Sequence, residues 1–340
     1  MPSPSVRGGT PHGDTPALER ADDARNLSVS ARPRVVSLLP GASDWLAAFG
    51  AADLVVGRTH LCDAPEVAST PVVTRPAVEL GTAAPEIDDA VRRAVQDGLS
   101  PFALDLDALR SLRPDLVVTQ AVCGVCAPPL ADVEKALDTL AGGDVELVNF
   151  APGTYKQVLD AALDLGRRVG RLPDAMRVVA DGEARLRRLA DRVGGRRQLG
   201  AAPRVVCVEW VEPVFTAGHW TPDLVEHAGG VPVLSEAGAR SGEVTWGAIA
   251  DADPDVLVVA ACGRSVAASV ADLEACAPRW RDLRAVREGR AVVLEGDLLF
   301  NRPGPSLVRS SEVMAWAIWG EASGITPRPE AAAVVPAVSA

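Results

Sequence analysis

The stretch from Thr154 to Val193 constrains this chain most, because it is the longest helical pattern and separates two compositionally similar halves. Apolar residues recur at three and four spacings, first Val158, Leu159, Ala162, Leu165 and Val169, then Val178, Val179, Leu186, Leu189 and Val193. That is the period of an amphipathic helix. Pro173 removes a backbone donor, so the pattern predicts an interruption between Gly170 and Asp174. At a rise of about 1.5 Å per residue, residues 154–193 span roughly 60 Å, more than the width of a small domain. The reading is a spine that joins two units.

Both flanks alternate strand and helix. In the first, Arg34 to Pro40 is a buried strand, a helix ends at Gly50, and strands follow near Asp53, Asp115 and Val145. In the second, strands begin near Arg204, Val256 and Ala291, and a last helix runs from Ser306 to Trp319. The halves echo each other: LRSLRPDLVVTQAVCG around Pro114 returns as AIADADPDVLVVAACG around Pro254. Such alternation gives mostly parallel sheets with helices on both faces. The expected fold is α/β, with two Rossmann-like lobes (33–153 and 204–322) joined by one long helix (154–193) and a ligand cleft between them. Residues 1–32 and 325–340, rich in Pro, Gly, Ser, Ala and charge, are expected to be disordered.

A net charge of -11 argues against a nucleic-acid partner, which needs clustered Lys and Arg. No segment is long and apolar enough to span a membrane, and the first thirty residues lack the apolar core of a signal peptide. The expected location is therefore the cytoplasm, where six cysteines serve as thiols or metal ligands rather than as disulfides.

The segments PRVVSLLPGASDWLAAFGAADLVVGRTH, LDALRSLRPDLVVT, VFTAGHWTPDLVEHAGG and VTWGAIADADPDVLVV resemble the substrate-binding proteins of cobalamin and iron-siderophore ABC transporters, over roughly Pro33 to Gly320. The resemblance implies two lobes on a rigid backbone helix and a small ligand, a cobalamin-like corrinoid or other metal chelate, held between them. It also implies docking on a permease through one acidic residue per lobe. Asp107 stands in the first position, but Gly247, after Trp246, stands in the second, which argues against such docking. Exported members carry a leader, so the sequence reads as a cytosolic relative that kept the cleft.

Two constellations carry chemistry. His60 and Cys62 follow one strand of the first lobe, and Cys123 and Cys126 follow another. Three thiolates and one imidazole suit zinc or iron in a tetrahedral site; the alternatives are a redox pair, thiol ligation of the bound molecule, or plain buried cysteines. The second is the loop from Glu209 to Trp220, which holds three of the chain's thirteen Trp, Phe and Tyr residues. Trp210, Phe215, Trp220 and Trp246 could wall a flat ligand, and His219 could ligate its metal, although each Trp could equally pack beneath its loop. Pro40, Gly41, Ser43 and Asp44 sit where a strand becomes a helix and could receive an anionic group or cap the helix. By the resemblance, Asp297, Phe300, Asn301 and Arg302 also reach the cleft. No phosphate-binding or nucleophile-elbow motif is present, so cofactor enzymology has no support; a metal- or thiol-dependent enzyme using the His-x-Cys and Cys-x-x-Cys site is the alternative to a binding protein.

Overall fold

A computed structural model describes residues 32–79, 81–97, 100–120, 130–138, 145–197, 200–276 and 279–335. In the first lobe β1 (Val35–Ser37), α1 (Pro40–Ala48) and β2 (Val55–Arg58) are followed by an excursion of β3 (Thr74–Pro76), α2 (Ala84–Gln96) and β4 (Phe102–Leu104). Then come α3 (Leu106–Leu112), β5 (Leu116–Thr119), α4 (Leu130–Asp138) and β6 (Glu146–Asn149). The sheet is parallel in the order β2-β1-β5-β6, and β3 and β4 form a separate antiparallel pair. Every residue of β1 and β5 is buried, as expected of short apolar strands covered on both faces.

The link is α5 (Tyr155–Arg168) and α6 (Leu172–Arg197). The interruption falls where Pro173 places it, with Gly170 in the left-handed region at φ 69° and Pro173 in the first turn of α6. Thr154 and Gln157 close a reciprocal cap on α5. The sequence expectation of one rod is corrected here. Gly166 lies so close to Ala175 that a Cβ on it would approach to 2.5 Å, and Tyr155, at the start of α5, lies within reach of the charges of Glu183 and Arg185. The two helices therefore fold back as an antiparallel hairpin. α6 reaches the second lobe from Gly182 onward, where Gly182 packs against Val308, Arg185 forks onto Glu312 and Val193 packs against Gly229. The bridging helix is 26 residues, or about 39 Å.

The second lobe comprises β7 (Arg204–Val211), β8 (Val214–Thr216), α7 (Thr221–His227), β9 (Val231–Pro232), β10 (Gly242–Val244), α8 (Trp246–Ala252), β11 (Val256–Val259), α9 (Val266–Ala275), α10 (Arg284–Arg287), β12 (Ala291–Leu294), α11 (Leu307–Trp319) and β13 (Ala332–Val334). Its sheet runs β10-β8-β7-β11-β12-β13, with β9 beside β7. The segment expected to be a disordered tail thus includes β13, which pairs antiparallel with β12 and closes that edge. Strand pairing supplies donors and acceptors that composition does not reveal.

The echo between the halves is structural. Arg113 and Asp253 both take left-handed φ, 42° and 41°, ahead of Pro114 and Pro254. In each lobe the next aspartate accepts from a first-strand amide, Arg34 N to Asp115 at 2.7 Å and Arg204 N to Asp255 at 2.8 Å.

Candidate functional site

The lobes meet where α1 begins. Leu39 caps that helix without a side-chain bond, Pro40 fills the first turn, and the amides of Ala42 and Ser43 bond to the Leu39 carbonyl. The Ser43 hydroxyl donates to Ser37 Oγ. These amides are consequently used within the turn rather than offered to an anion. Gly41 has another reason to be glycine: a Cβ there would lie 3.1 Å from Pro303 of the other lobe. Trp45 Nε1 donates to the Pro303 carbonyl at 2.9 Å, and Asp44 approaches Gly304.

The last strand-to-helix loop of lobe two makes the seam. Residues Gly296–Phe300 form one π-helical turn, started by the Glu295 side chain, which accepts from Leu298 N. Gly296 is required because a Cβ would come 2.1 Å from the Ala261 carbonyl. The turn directs Phe300 into the core, 1% exposed, and leaves Leu298 47% exposed. Asn301 Nδ2 donates to the Gly296 and Ala260 carbonyls and fixes the turn. Arg302 then crosses to lobe one and forks onto Asp63, while its Nη2 also reaches Asp297 at 3.1 Å. Burial alone would lower the Arg302 pKa, but the two carboxylates outweigh it and raise it, so the guanidinium stays charged. Burial pushes Asp44 up to about 6 despite the attraction of Arg302, with Asp63, Glu66 and Asp297 adding to the rise.

On lobe one, Thr59 to Asp63 follow β2. His60 Nδ1 shares a hydrogen bond of 2.7 Å with Thr74 Oγ1, its ring centroid lies 5.6 Å from that of Phe102, and burial lowers its pKa. Leu61 is 40% exposed, whereas Cys62 is buried in the core with Ala64 and Val67. Cys123 and Cys126 lie outside the described residues. Among the described residues no three His, Cys, Asp or Glu side chains are grouped to hold a metal, and Cys62, Cys207, Cys262 and Cys276 are free thiols.

The aromatic candidates divide. Trp220 is buried and donates to the Phe300 carbonyl at 2.8 Å, and Trp246 sits in the lobe-two core with Ile249 and Val259. Both pack beneath their loops. Trp210 and Phe215 face each other across the β7–β8 hairpin and are half-buried. His219 follows, held at φ 52° because its amide donates to the Ala239 carbonyl and its own carbonyl accepts from Gly238. Its Nε2 is buried without a hydrogen-bond partner, and burial and the Arg240 charge lower its pKa, so the ring is neutral. Ala239, which accepts the His219 amide, is in the wall of a lobe-two cavity of about 380 Å³ lined also by Thr216, Leu234, Glu236 and Arg240. Lobe one flanks this region too, since Gly238 touches Gly153 and Thr154, and Arg92 of α2 pairs with Glu243. Sequence reasoning missed Asp63, Leu61, Leu298 and Arg240; none belongs to a spaced motif, and Asp63 matters through Arg302, a partner distant in sequence.

Asp107 and Gly247 occupy matching second positions of α3 and α8, behind the N-caps Asp105 and Thr245. Asp107 pairs with Arg110 at 2.9 Å.

Two α/β lobes on a helical link, with opposed loops at a shared seam, define a two-lobe ligand-binding protein. Residues 35–298 match the sequence profile of the periplasmic binding proteins, and the chain belongs to that family. A periplasmic heme-binding protein from Pseudomonas aeruginosa is similar in structure, with TM-score 0.63 and 22% identity over 84% of this chain and 92% of that one. An ABC transporter substrate-binding protein from Listeria monocytogenes EGD-e aligns at TM-score 0.64 and 17% identity over 85% and 99%. The periplasmic vitamin B12 binding protein of Vibrio cholerae aligns at 0.58 and 19% over 84% and 96%. No curated protein matches the chain.

The expectation of a cytoplasmic location is overturned: the family is periplasmic, as are the heme- and B12-binding neighbours. That expectation rested on the residues at the start of the sequence, and the physics of the folded lobes carries no information on compartment. Among the described residues, no helix is long and apolar enough to cross a membrane.

Proposed function

We propose that the chain binds a flat metal chelate, a corrinoid of the cobalamin type, between its lobes, with His219 as a ligand to the central metal. The observation that carries this is the His219 Nε2, buried without a partner in a loop whose backbone bonds to Ala239 in the wall of a lobe-two cavity of about 380 Å³. Leaving a buried acceptor or donor unpaired costs about 1–3 kcal/mol, and such groups persist where a ligand completes them. A neutral imidazole is a good donor to a transition metal. Leu61 and Leu298, exposed on opposite lobes, supply apolar contact for a macrocycle, and Phe215 adds an aromatic edge.

Charge favours a corrinoid over a dicarboxylate porphyrin. Asp44, Asp63, Glu66 and Asp297 surround the seam, and Arg302 is already engaged by two of them. Anionic substituents would meet repulsion there, whereas the neutral amides of a corrinoid can both donate and accept. A small-molecule ligand is common to the family, and the heme- and B12-binding neighbours support a metal chelate as its class.

The test is a spectral titration of the purified chain with hydroxocobalamin and, separately, with hemin. Saturation at one hydroxocobalamin per chain with a shifted corrin band, weakened tenfold or more in His219→Asn, is expected. Heat and absorbance that stay flat for both macrocycles would overturn the proposal.

A further inference from the structure

The excursion between β3 and β4 leaves lobe one and comes back to it. Thr74 pairs with Leu104 and Pro76 with Phe102, so the segment starts and ends at one place. Its helix, α2, is nevertheless fastened to lobe two. Ala84 is 1% exposed and belongs to the lobe-two core that contains Leu273 and Trp280. The Ala84 amide donates to Asp272 Oδ1 at 3.1 Å, across 188 positions. Asp272 is itself 5% exposed and is held by Arg264 through Nε at 2.8 Å and Nη2 at 2.6 Å. One turn from the far end, Arg92 reaches Glu243 at 3.2 Å, next to Gly242 of the cavity wall. Within α2, Ala84 and Ala94 are buried and Ile87 and Val91 half-buried, and the four fall on one face. Among the described residues, every side-chain or cap hydrogen bond from α2 to another element goes to lobe two.

We propose that α2 is a latch: a helix tethered to lobe one at both ends and docked on lobe two through Ala84, Asp272 and Arg92, so that the lobes separate only when it lets go. The geometry gives the latch a strong end and a weak end. At Ala84 the contact is buried and the acceptor is a nearly buried carboxylate already neutralised by Arg264, so the bond is made without water competing. At Arg92 both partners are about half exposed and the ion pair is screened. Release should accordingly begin at Arg92 and be completed at Ala84. The hairpin of α5 and α6 holds the lobes on one side of the seam and α2 holds them on another. A ligand that enters between them must wait for the latch, whatever its chemistry, so the latch does not depend on the corrinoid assignment.

The test uses the full chain without ligand. Hydrogen exchange on α2 peptides and small-angle scattering are compared for wild type, Ala84→Glu and Arg92→Ala. Ala84→Glu, which forces a charge into the docking site facing Asp272, is expected to raise α2 exchange by at least tenfold and to increase the radius of gyration. Lobe-two peptides of β11 and β12 should keep their protection. Arg92→Ala changes an exposed side chain and leaves the fold intact; it should raise α2 exchange by about two- to fivefold. Hydroxocobalamin association should accelerate in both variants if the cleft takes it, and failure of that arm alone counts against the ligand class only. Unchanged α2 exchange in Arg92→Ala together with an unchanged radius of gyration in Ala84→Glu overturns the latch.

Discussion

Arg302 forks onto Asp63 across 239 positions, with Nη1 2.5 Å and Nη2 3.1 Å from its two oxygens, and so ties the last loop of lobe two to the second loop of lobe one. The guanidinium is 8% exposed and the carboxylate 53%, which makes the two partners unequal. Truncating Arg302 frees Asp63 and Asp297 to rehydrate, so the cost falls below that of a fully buried pair. Arg302→Ala should lose about 1–3 kcal/mol in urea unfolding, and Asp63→Ala about 1. A double-mutant cycle checks the bridge, with about 1 kcal/mol of coupling expected; additive losses would mean that the two lobes are held by packing alone.

Asp44 makes stability depend on pH in the opposite sense to Asp63. Its folded pKa of about 6 lies above the ordinary 3.8, so between those values the folded chain holds more protons than the unfolded one, and stability falls as pH rises. Asp63 would be raised by burial, but its hydrogen bond and charge attraction to Arg302 win and lower it, so its contribution is present at neutral pH and lost on acidification. Asp44→Asn should therefore stabilise the chain by about 1–3 kcal/mol near pH 7.5 and by almost nothing near pH 3. Paired urea curves at the two pH values decide it.

How much of this was visible in the residues follows from which interactions are local. The buried strands were legible because parallel strands covered on both faces are apolar without a break, as in VLVV of β11. The break in the spine was legible from Gly170 and Pro173, since each constrains its own φ. The fold-back of α5 on α6 was not, because periodicity reports which face is buried and not what buries it. Trp220 and Trp246 show the same limit: a tryptophan count in a loop is identical whether the rings face a ligand or the core. Arg302 was singled out by position, yet Asp63 was not, for nothing within ten residues of either announces the other. Likewise the apolar face of α2 is visible in sequence, but its lobe of attachment is a tertiary fact.

His219 is poised by strain as well as by burial. A β-carbon at φ 52° costs about 1 kcal/mol, which Asn tolerates better than Ala. His219→Asn should keep wild-type stability within about 0.5 kcal/mol while abolishing the pH-dependent part of metal-chelate binding, and His219→Ala should lose about 1 kcal/mol in addition. Because the folded pKa is depressed by burial, then by Arg240, the imidazole remains a donor at pH values below its ordinary 6.5. Affinity for hydroxocobalamin should hold as pH falls through 6.5 and weaken only at lower pH, which a pH series of spectral titrations would reveal.

The paired aspartates Asp115 and Asp255 allow the internal repeat to be tested as physics. Each follows a proline, and each accepts from the amide that opens its lobe's first strand. Each in turn donates its own amide back to that residue's carbonyl, Asp115 to Arg34 at 2.9 Å and Asp255 to Arg204 at 2.8 Å. The reciprocal pair pins the start of β1 to β5 and of β7 to β11, so removal should fray both strand ends rather than empty a core. Asp115→Ala and Asp255→Ala are each expected to cost about 1 kcal/mol, the second somewhat more because Asp255 also holds Arg284 at 3.0 Å. The Arg204 amide, then the Arg284 bond working against burial, depress the Asp255 pKa. Its contribution is therefore complete above the unfolded value and disappears as pH falls through the folded one, so the penalty of Asp255→Ala should shrink on acidification. Losses that differ several-fold at neutral pH, or a penalty for Asp255→Ala that stays undiminished in acid, would show that the echo between the lobes is one of sequence and not of shared energetics.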